Sequence, residues 1–343
     1  MKVGVLTGGG DCPGLNAVIR AIVRKAERHY QDSVIGFTDG WSGVLSGNFI
    51  PLDVNFMRGS LPRGGTVLGT SRMSPRMFED GLDKVRATIE ATKTDALIVI
   101  GGEGTLSAAA SVQAAGAACV VAVPKTIDND IALTEQTFGF DTAVSIATAA
   151  IDRLHTTAES HDRVMVVEVM GRHVGHIAIW AGIAGGATLT LIPEHPFDIE
   201  AVAATIMRRH RRGRWASIVV VAEGAIPVDG TLEMAEQAVD EFGHKKLGGI
   251  GQVIASEIEA RTGFDTRVTV LGHVQRGGTP TAFDRVLCSR YGIAAIDAVH
   301  QKQWGSMVAL QGGKMVTVPL ADAVAEVKPV SPDLYEAARA FFA

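Results

Sequence analysis

The chain repeats one arrangement along its length: a short run of β-branched and aliphatic residues, then glycines or charged residues, then a helical stretch. Seven such runs occupy 3–6, 96–100, 119–123, 164–169, 189–192, 218–222 and 268–271. Strands that are apolar at every position are typical of parallel sheets covered on both faces. Their alternation with helices predicts an α/β, doubly wound architecture, in which ligands bind beyond the carboxyl ends of the strands.

Helical segments are predicted between these strands. One begins near Pro13, with the apolar stripe Leu15, Val18, Ile19 and Ile22. The others are predicted over 106–115, 143–157, 199–211, 232–242, 249–261 and 281–300. At 343 residues, we expect two domains. We predict two Rossmann-like domains with mainly parallel sheets and helices on both faces, namely 1–139 with 275–325 and 140–274 with 326–343.

Composition excludes several other classes. A 47% apolar share and a net charge of −5 exclude a disordered chain, and the 39 glycines lack the three-residue period of collagen. A pI near 6.1 argues against a nucleic-acid-binding surface, although 208–214 is locally basic. Three scattered cysteines fit a reducing compartment and show no metal-site spacing.

The first residues, MKVGVLTGGGD, have too short an apolar run for a signal peptide, so none is expected. The longest apolar stretch, 177–192, contains glycines and is shorter than a membrane span. This stretch is predicted to be a buried helix followed by a strand. We therefore expect a cytoplasmic protein without membrane or nucleic-acid partners.

Arginine is preferred over lysine, at 22 residues against 10. The arginine guanidinium binds phosphate through a planar fork, whereas lysine acts as a point charge. Genomic base composition explains such a bias equally well. However, five arginines lie beside predicted strand ends or glycine turns, namely Arg72, Arg163, Arg172, Arg267 and Arg276. Their placement favours a ligand with several phosphate groups.

The segment Gly8-Gly9-Gly10-Asp11 lies between a predicted strand and a predicted helix. Glycines there let backbone N–H groups approach a phosphate at a helix N-terminus. The segment is neither the GxGxxG dinucleotide fingerprint nor a Walker A loop. A tight turn is the alternative, but three adjacent glycines exceed what a turn needs.

A second loop of this kind, Gly101-Gly102-Glu103-Gly104-Thr105, follows another strand. The carboxylate of Glu103 would hold Mg²⁺ on a phosphate, because Mg²⁺ takes few carboxylates together with phosphate oxygens. Thr105 would cap the following helix and donate to phosphate. The alternative is a capped turn with an acidic residue in the first helical turn.

The segment Thr126-Ile127-Asp128-Asn129-Asp130 follows a third strand and places two carboxylates two residues apart. One carboxylate can act as general base on a hydroxyl while the other orients its surroundings. Lys125 adds a cation beside them. A turn rich in Asp and Asn is the alternative interpretation.

In this order, the motifs resemble those of the 6-phosphofructokinase family, from Gly8 to about Arg290. The matching segments are GGGDCPGLNAVIR (8–20), RGGTVLGTSR (63–72), GGEGT (101–105), PKTIDND (124–130), SHDRVMVVEVMGR (160–172), VAEGA (221–225) and RVTVLGHVQRGGTP (267–280). The resemblance is to ATP-dependent members of bacterial type. It implies a glycolytic kinase that phosphorylates the C1 hydroxyl of fructose 6-phosphate with Mg²⁺ and ATP.

The resemblance also implies a role for each matching residue. On the donor side, it assigns the nucleotide and its phosphates to Gly10, Arg72, Gly102, Glu103, Gly104 and Thr105, with Glu103 as the magnesium ligand. Asp128 matches the catalytic base, and Arg72, Thr126 and Arg172 are the other expected catalytic residues.

On the sugar side, the expected contacts to fructose 6-phosphate are Thr126, Asp128, Asp130, Met170, Gly171, Arg172, Glu223, His273 and Arg276. Arg163 and Arg267 match arginines that, in the family, reach the 6-phosphate from a neighbouring subunit. The resemblance therefore implies a homotetramer with shared sites.

Two departures from the family pattern bear on the phosphoryl donor. The usual GGDGS is GGEGT here, and the longer Glu103 side chain would shift the metal or bind it through water. Lys125 is typical of pyrophosphate-using members, whereas ATP-using members commonly have glycine there. Pyrophosphate-using members also carry Asp at the position of Gly104, where a carboxylate would repel the nucleotide α-phosphate. Because this position is glycine, ATP is the favoured donor and pyrophosphate the alternative.

Other functions stay open. A non-catalytic sensor of nucleotide or sugar phosphate would not need the base Asp128, and TIDND with MGR disfavours a lipid or NAD kinase. The family's allosteric effector site matches Arg20, Arg24, Arg212 and Arg214. A solvated basic face accounts for these four residues equally well.

Overall fold

The computed structural model describes residues 1–232 and 248–342. The chain divides into two compact units, Met1–Thr142 with Arg276–Val327 and Ala143–Gln275 with Lys328–Ala343. The helix predicted over 232–242 lies outside the described residues, apart from Leu232. Within the described residues, no helix is both long and apolar enough to cross a membrane.

The strands are β1 Lys2–Gly8, β2 Ser33–Phe37, β3 Phe49–Leu52, β4 Ala96–Gly101, β5 Val120–Pro124, β6 Val164–Val169, β7 Leu189–Leu191, β8 Ser217–Ala222, β9 Thr266–Val270, β10 Ser306–Gln311 and β11 Lys314–Pro319. The α-helices are α1 Leu15–Lys25, α2 Trp41–Ser46, α3 Gly81–Thr92, α4 Glu103–Ala114, α5 Phe140–His161, α6 His176–Ala184, α7 Ile199–Arg211, α8 Ile250–Thr262, α9 Ala282–His300, α10 Leu320–Ala323 and α11 Pro332–Arg339. A π-helical turn spans Ala26–Tyr30, and 3-10 turns span Pro75–Met77 and Gly272–Arg276.

The first unit contains a seven-stranded sheet in the order β11-β10-β5-β4-β1-β2-β3. Its five central strands are parallel, while β3 and β11 pair antiparallel at the two edges. Strands β4 and β5 are buried along their whole length. The predicted α/β class with mainly parallel sheets is confirmed. Strands β2, β3, β10 and β11 were not predicted.

The second unit contains a four-stranded parallel sheet in the order β7-β8-β6-β9. Strands β6 and β8 are buried throughout, as their apolar sequences predict. The stretch 177–192 forms most of α6 and all of β7, so the prediction of a buried helix followed by a strand is confirmed. Apolar side chains of α7 and α8 pack with the sheet in one buried cluster.

Strand order in the first unit locates a crevice. From β1 the chain passes to β2 on one side, and later to β4 and β5 on the other. At such a switch point, the connections after neighbouring strands run to opposite sides and leave an opening beyond the carboxyl ends. The opening therefore lies where β1 and β4 end.

The second unit also buries a titratable side chain. His210 is 4% exposed, stacks on Phe264 with ring centroids 3.7 Å apart, and meets the edge of Trp215. Burial lowers the pKa of His210, and the neighbouring Arg209 lowers it further. The folded unit therefore takes up this proton at a lower pH than the unfolded chain does.

We expect His210→Phe to reduce the fall in the free energy of unfolding that occurs in mild acid. As the pH falls below about 6.5, the unfolded chain gains this proton first. One such proton changes the free energy of unfolding by up to about 1.4 kcal/mol per pH unit. Urea unfolding at pH 7, 6 and 5 should show a smaller decline for the variant than for the wild type. Equal declines would remove His210 from this role.

Candidate active site

The three glycine-rich and acidic loops leave the first sheet in one row. In the parallel ladder Gly8 pairs with Gly101, and Gly101 pairs with Pro124. The next backbone group continues this alignment, because the N–H of Lys125 donates to the carbonyl of Gly101 over 2.9 Å. The three predicted loops are therefore neighbours at the carboxyl edge of β1, β4 and β5.

Thr105 explains part of the glycine content of this row. A Cβ on Gly8 would lie 2.7 Å from the Thr105 side chain, and a Cβ on Gly101 would collide with it as well. Gly9 has φ of +78°, a conformation that favours glycine. Gly8 and Gly101 thus serve the packing of the first turn of α4, which brings the N-terminus of this helix against both strands.

The loop that carries Arg72 is bonded to the first glycine loop. The N–H of Gly9 donates to the carbonyl of Ser71 over 3.1 Å, and Thr70 Oγ1 donates back to the carbonyl of Gly9 over 2.6 Å. Arg72 follows directly and is exposed. This pairing fixes the backbone beside Arg72 at the edge of the crevice.

Asn16 on α1 supports the same loop and was missed by sequence reasoning. Its Nδ2 donates to the carbonyls of Arg63 and Gly64, each over 3.1 Å, and its Oδ1 accepts from the N–H of Val67 over 2.8 Å. The side chain is fully buried. A buried amide with three such bonds holds the backbone at the start of the RGGTVLGTSR segment.

Two cations flank the first loop. Lys125 is 3% exposed, and its ammonium donates to the carbonyl of Gly10. Arg276 lies against Gly10 and donates to the carbonyl of Asp11 over 3.3 Å. Burial lowers the pKa of Lys125, and Arg276 lowers it further. The row of loops is therefore flanked by two basic side chains, which suits the binding of phosphate.

The third loop alternates between exposed and buried positions. Thr126, Asp128 and Asp130 are partly exposed, whereas Ile127 and Asn129 are buried. The N–H of Asp128 donates to Thr126 Oγ1 over 3.0 Å. The three side chains that were predicted to contact substrate therefore alternate with two that anchor the loop.

Asn129 is the polar anchor of this loop. It has φ of +53°, and its Oδ1 accepts from the N–H of Thr137 over 2.9 Å. Thr137 Oγ1 in turn donates to the carbonyl of Thr126 over 2.7 Å. Residues 126 and 129 are thereby both tied to Thr137, with Asp128 between them. The signal in the sequence was an asparagine, the residue that most readily adopts this backbone after glycine.

A magnesium ion fits this row by the chemistry of its donors. Glu103 is exposed in the first turn of α4, and its Oε1 accepts from Ser107 Oγ over 2.8 Å. Among the described residues, no group of three metal-binding side chains occurs. One carboxylate completed by phosphate oxygens is the arrangement that Mg²⁺ favours with phosphorylated substrates.

Four of the predicted sugar-phosphate residues lie at the carboxyl edge of the second sheet. Met170, Gly171 and Arg172 follow β6, and Glu223 follows β8. The two loops are joined, because the N–H of Glu223 donates to the carbonyl of Val169 over 2.8 Å and that of Gly224 to Gly171 over 3.1 Å. His273 lies in the turn after β9.

Arg163 and Arg267 lie at the opposite edge of that sheet. Arg163 directly precedes β6, and Arg267 is the second residue of β9, where it pairs with Met165. Strand β6 has six residues, so the two edges are about 20 Å apart. The structure therefore does not bring these two arginines to Arg172, Glu223 and His273 within the second unit.

Glu168 is a further residue that the sequence reasoning missed. It is a buried acid within the apolar strand β6, and its carboxylate accepts from the N–H groups of Gly249 over 3.1 Å and Gly251 over 2.8 Å. Its carbonyl accepts from the N–H of Leu271 over 3.0 Å. Glu168 thus holds the start of α8 beside the strand ends that lead to Arg172 and His273.

The arginines matched to an effector site lie on both units. Arg20 and Arg24 line a cavity of about 270 Å³ in the first unit, together with Arg28 and Arg58. Arg212 and Arg214 are exposed after α7 in the second unit. The first pair is therefore part of a larger basic cluster than the sequence indicated.

A doubly wound sheet whose carboxyl edge carries two glycine-rich loops and an acidic loop has the features of a phosphate-transferring enzyme, a kinase. The family model described as phosphofructokinase matches residues 2–299. Because the match covers most of the chain, the protein belongs to the phosphofructokinase family.

Proteins similar to this chain are named for two different phosphoryl donors. A Streptomyces coelicolor protein named pyrophosphate–fructose 6-phosphate 1-phosphotransferase is 56% identical over 342 residues, which covers 100% of both chains. A Corynebacterium efficiens protein named ATP-dependent 6-phosphofructokinase is 54% identical over 343 residues, covering 100% of this chain and 99% of that one.

Among solved structures, Pichia pastoris phosphofructokinase in the T-state matches 99% of this chain with a TM-score of 0.85 and 31% identity. The chain spans 36% of the length of that protein.

We expect Asn129→Gly to lower turnover although glycine keeps the left-handed backbone. The variant loses the buried bond to Thr137, and small displacements of a reacting group cost on the order of tenfold to a hundredfold in rate. Asn129→Ala should lower turnover to a similar degree and also lose about 1 kcal/mol of stability from backbone strain. Steady-state kinetics and urea unfolding measure the two effects.

Lys93 provides the matched control, because it has φ of +53° at the end of α3. Lys93→Gly should leave turnover unchanged. Wild-type turnover in Asn129→Gly would show that the Asn129 side chain does not position the loop.

Proposed function

We propose that this protein phosphorylates the C1 hydroxyl of fructose 6-phosphate, with Mg²⁺ and ATP, to give fructose 1,6-bisphosphate and ADP. The observation that carries the proposal is the single row formed by Gly8, Gly101 and Pro124. It gathers two phosphate-type loops and the carboxylate segment at one edge of one sheet. Phosphoryl transfer requires this combination of positioning, charge neutralisation and a base.

In the proposed reaction, the C1 oxygen attacks the terminal phosphorus of the donor. The new bond joins the C1 oxygen to phosphorus, and the bond from phosphorus to the leaving diphosphate oxygen breaks. Asp128 accepts the proton of the C1 hydroxyl and later releases it to solvent. Thr126 and Asp130 flank this carboxylate and orient the hydroxyl.

On the donor side, the N–H of Gly10, the start of α4 and the Arg72 guanidinium hold the transferring phosphate. Gly102, Gly104 and Thr105 form the loop beside the nucleotide phosphates, where the helix N-terminus attracts negative charge. Glu103 would hold Mg²⁺, which supplies charge neutralisation on the donor phosphates when bound. These roles assign the phosphate donor to the first unit.

On the sugar side, we assign fructose 6-phosphate to Met170, Gly171, Arg172, Glu223, His273 and Arg276. The mutual bonding of the loops after β6 and β8 supports a shared role for Arg172 and Glu223.

We also propose a homotetramer in which Arg163 and Arg267 serve the 6-phosphate site of a neighbouring subunit. The support is their position at the opposite edge of the second sheet from Arg172. In such an assembly, Arg172 of one copy and Arg163 and Arg267 of a second copy can bind the same sugar phosphate.

The basic cavity lined by Arg20 and Arg24 is proposed to bind an anionic effector. Its further arginines, Arg28 and Arg58, support an anion rather than a neutral ligand.

Gly104 supports ATP as the donor. It is exposed, and a Cβ there would meet nothing within 4 Å, so the space beside the N-terminus of α4 is open to an α-phosphate. Pyrophosphate is the second candidate, and Lys125 favours it. The Lys125 ammonium lies at Gly10, where it could neutralise a donor that lacks the nucleoside.

The wild-type assay decides both parts of the proposal. Purified protein, Mg²⁺ and fructose 6-phosphate are combined with ATP or with pyrophosphate, and fructose 1,6-bisphosphate is measured by a coupled assay. We expect product with ATP. Product with pyrophosphate alone would overturn the donor assignment, and no product with either donor would overturn the kinase assignment.

Gly104→Asp tests the donor site directly. The open space admits the side chain, and its charge would repel the α-phosphate, so we expect the KM for ATP to rise about tenfold or more. Gly104→Asn is the control of equal size without the charge and should have a smaller effect. An unchanged KM for ATP in Gly104→Asp would contradict the proposed path of the nucleotide.

A further inference from the structure

Asp265 bridges the two arginines at the amino-terminal edge of the second sheet. Its Oδ2 accepts from Arg163 Nε over 2.5 Å, and its Oδ1 forms an ion pair with Arg267 Nη1. One carboxylate thus binds two guanidinium groups, one through each oxygen. The sequence predicts a role in phosphate binding for both arginines and none for Asp265.

The strand register creates this arrangement. Strands β6 and β9 are parallel, with Val164 opposite Thr266, so Arg163 and Asp265 stand opposite each other just before the two strands. The carbonyl of Asp265 accepts from the N–H of Val164 over 3.1 Å, which fixes its backbone. Arg267 Nη1 also donates to the carbonyl of Thr266 over 3.0 Å. The carboxylate is therefore held by the sheet.

Exposure indicates that the bridge contributes little to stability. The exposed fractions of the side chains are 30% for Arg163, 38% for Asp265 and 53% for Arg267. Ion pairs this open to solvent have small effects on folding. The arrangement instead determines where two cations stand, since two adjacent guanidinium groups repel each other without an anion between them.

The bridge leaves hydrogen-bond donors available. A guanidinium has five N–H groups, and Arg163 uses its Nε edge for Asp265, which leaves its two Nη groups for another anion. Arg267 uses Nη1 for Asp265 and the carbonyl of Thr266, and keeps the N–H groups of Nε and Nη2. A phosphate can therefore bind both arginines while Asp265 stays in place behind them.

We propose that Asp265 is a positioning residue that presents Arg163 and Arg267 as a preformed pair to the 6-phosphate of the sugar substrate. The proposal rests on the proposed function, because the phosphate in question is that of fructose 6-phosphate. A preformed pair avoids the loss of side-chain freedom on binding. Asp265 therefore affects sugar-phosphate affinity and leaves the transfer step unchanged.

Steady-state kinetics of Asp265→Ala, Asp265→Asn and Asp265→Glu test this role. In Asp265→Ala, the KM for fructose 6-phosphate should rise at least about fivefold, because two arginine side chains must then be ordered on binding. The turnover number and the KM for the phosphoryl donor should stay at wild-type values. Asp265→Glu should recover part of the affinity, and Asp265→Asn should fall between alanine and wild type.

Asp83→Ala is the matched control. Asp83 pairs with Arg86 over 2.7 Å on α3 of the first unit, so this variant also removes the carboxylate partner of an arginine and changes the net charge equally. It should leave the KM for fructose 6-phosphate unchanged. Thermal unfolding of Asp265→Ala should shift by no more than about 3 °C.

The outcomes separate this inference from the proposed function. A wild-type protein that makes no product from fructose 6-phosphate contradicts the proposed function and, with it, this role. With an active wild type, an unchanged or lower KM in Asp265→Ala overturns the positioning role, because the carboxylate would then be neutral or competing with the phosphate. A fall in turnover at constant KM overturns it as well.

Discussion

The pairing of three parallel strands at Gly8, Gly101 and Pro124 is the constraint on which the rest of the first unit depends. Because the strands end in the same row, the loops that follow them are neighbours as soon as the strands pair. Thr105 then packs between two glycines of the row and brings the N-terminus of α4 to the same place. A shift of one strand by one residue would separate the loops and turn their side chains to the other face of the sheet.

The positive charge beside the row of loops is carried by side chains that the fold brings to Gly10. Lys125 and Arg276 surround Gly10, and burial disfavours the charged form of Lys125, as its lowered pKa shows. A bound anion at the loop would offset the cost of burying this charge, because a nearby negative charge favours the protonated form of Lys125. The second unit separates its charges differently, with Arg172 at one edge of its sheet and the Arg163–Asp265–Arg267 group at the other.

The central strands and the loops were predictable because their signals are local. Runs such as those of β4 and β5 are apolar at every position, and glycines or carboxylates follow them at once. Edge strands were not predictable, since β11 has no buried residue and β3 contains a proline. The supporting contacts depend on tertiary structure. Lys125 meets Gly10 across 115 positions, and Arg163 meets Asp265 across 102, so neither partner could be inferred from spacing.

We propose that the row of loops delivers a phosphoryl group to a hydroxyl deprotonated by Asp128. Turnover of Asp128→Asn, measured together with the binding of fructose 6-phosphate to the same variant, tests this role of Asp128. Loss of a general base should lower turnover roughly 10²–10⁴-fold while sugar binding is largely kept. Turnover close to the wild-type value would contradict the proposed role of Asp128, because the carboxylate would then have no part in the transfer.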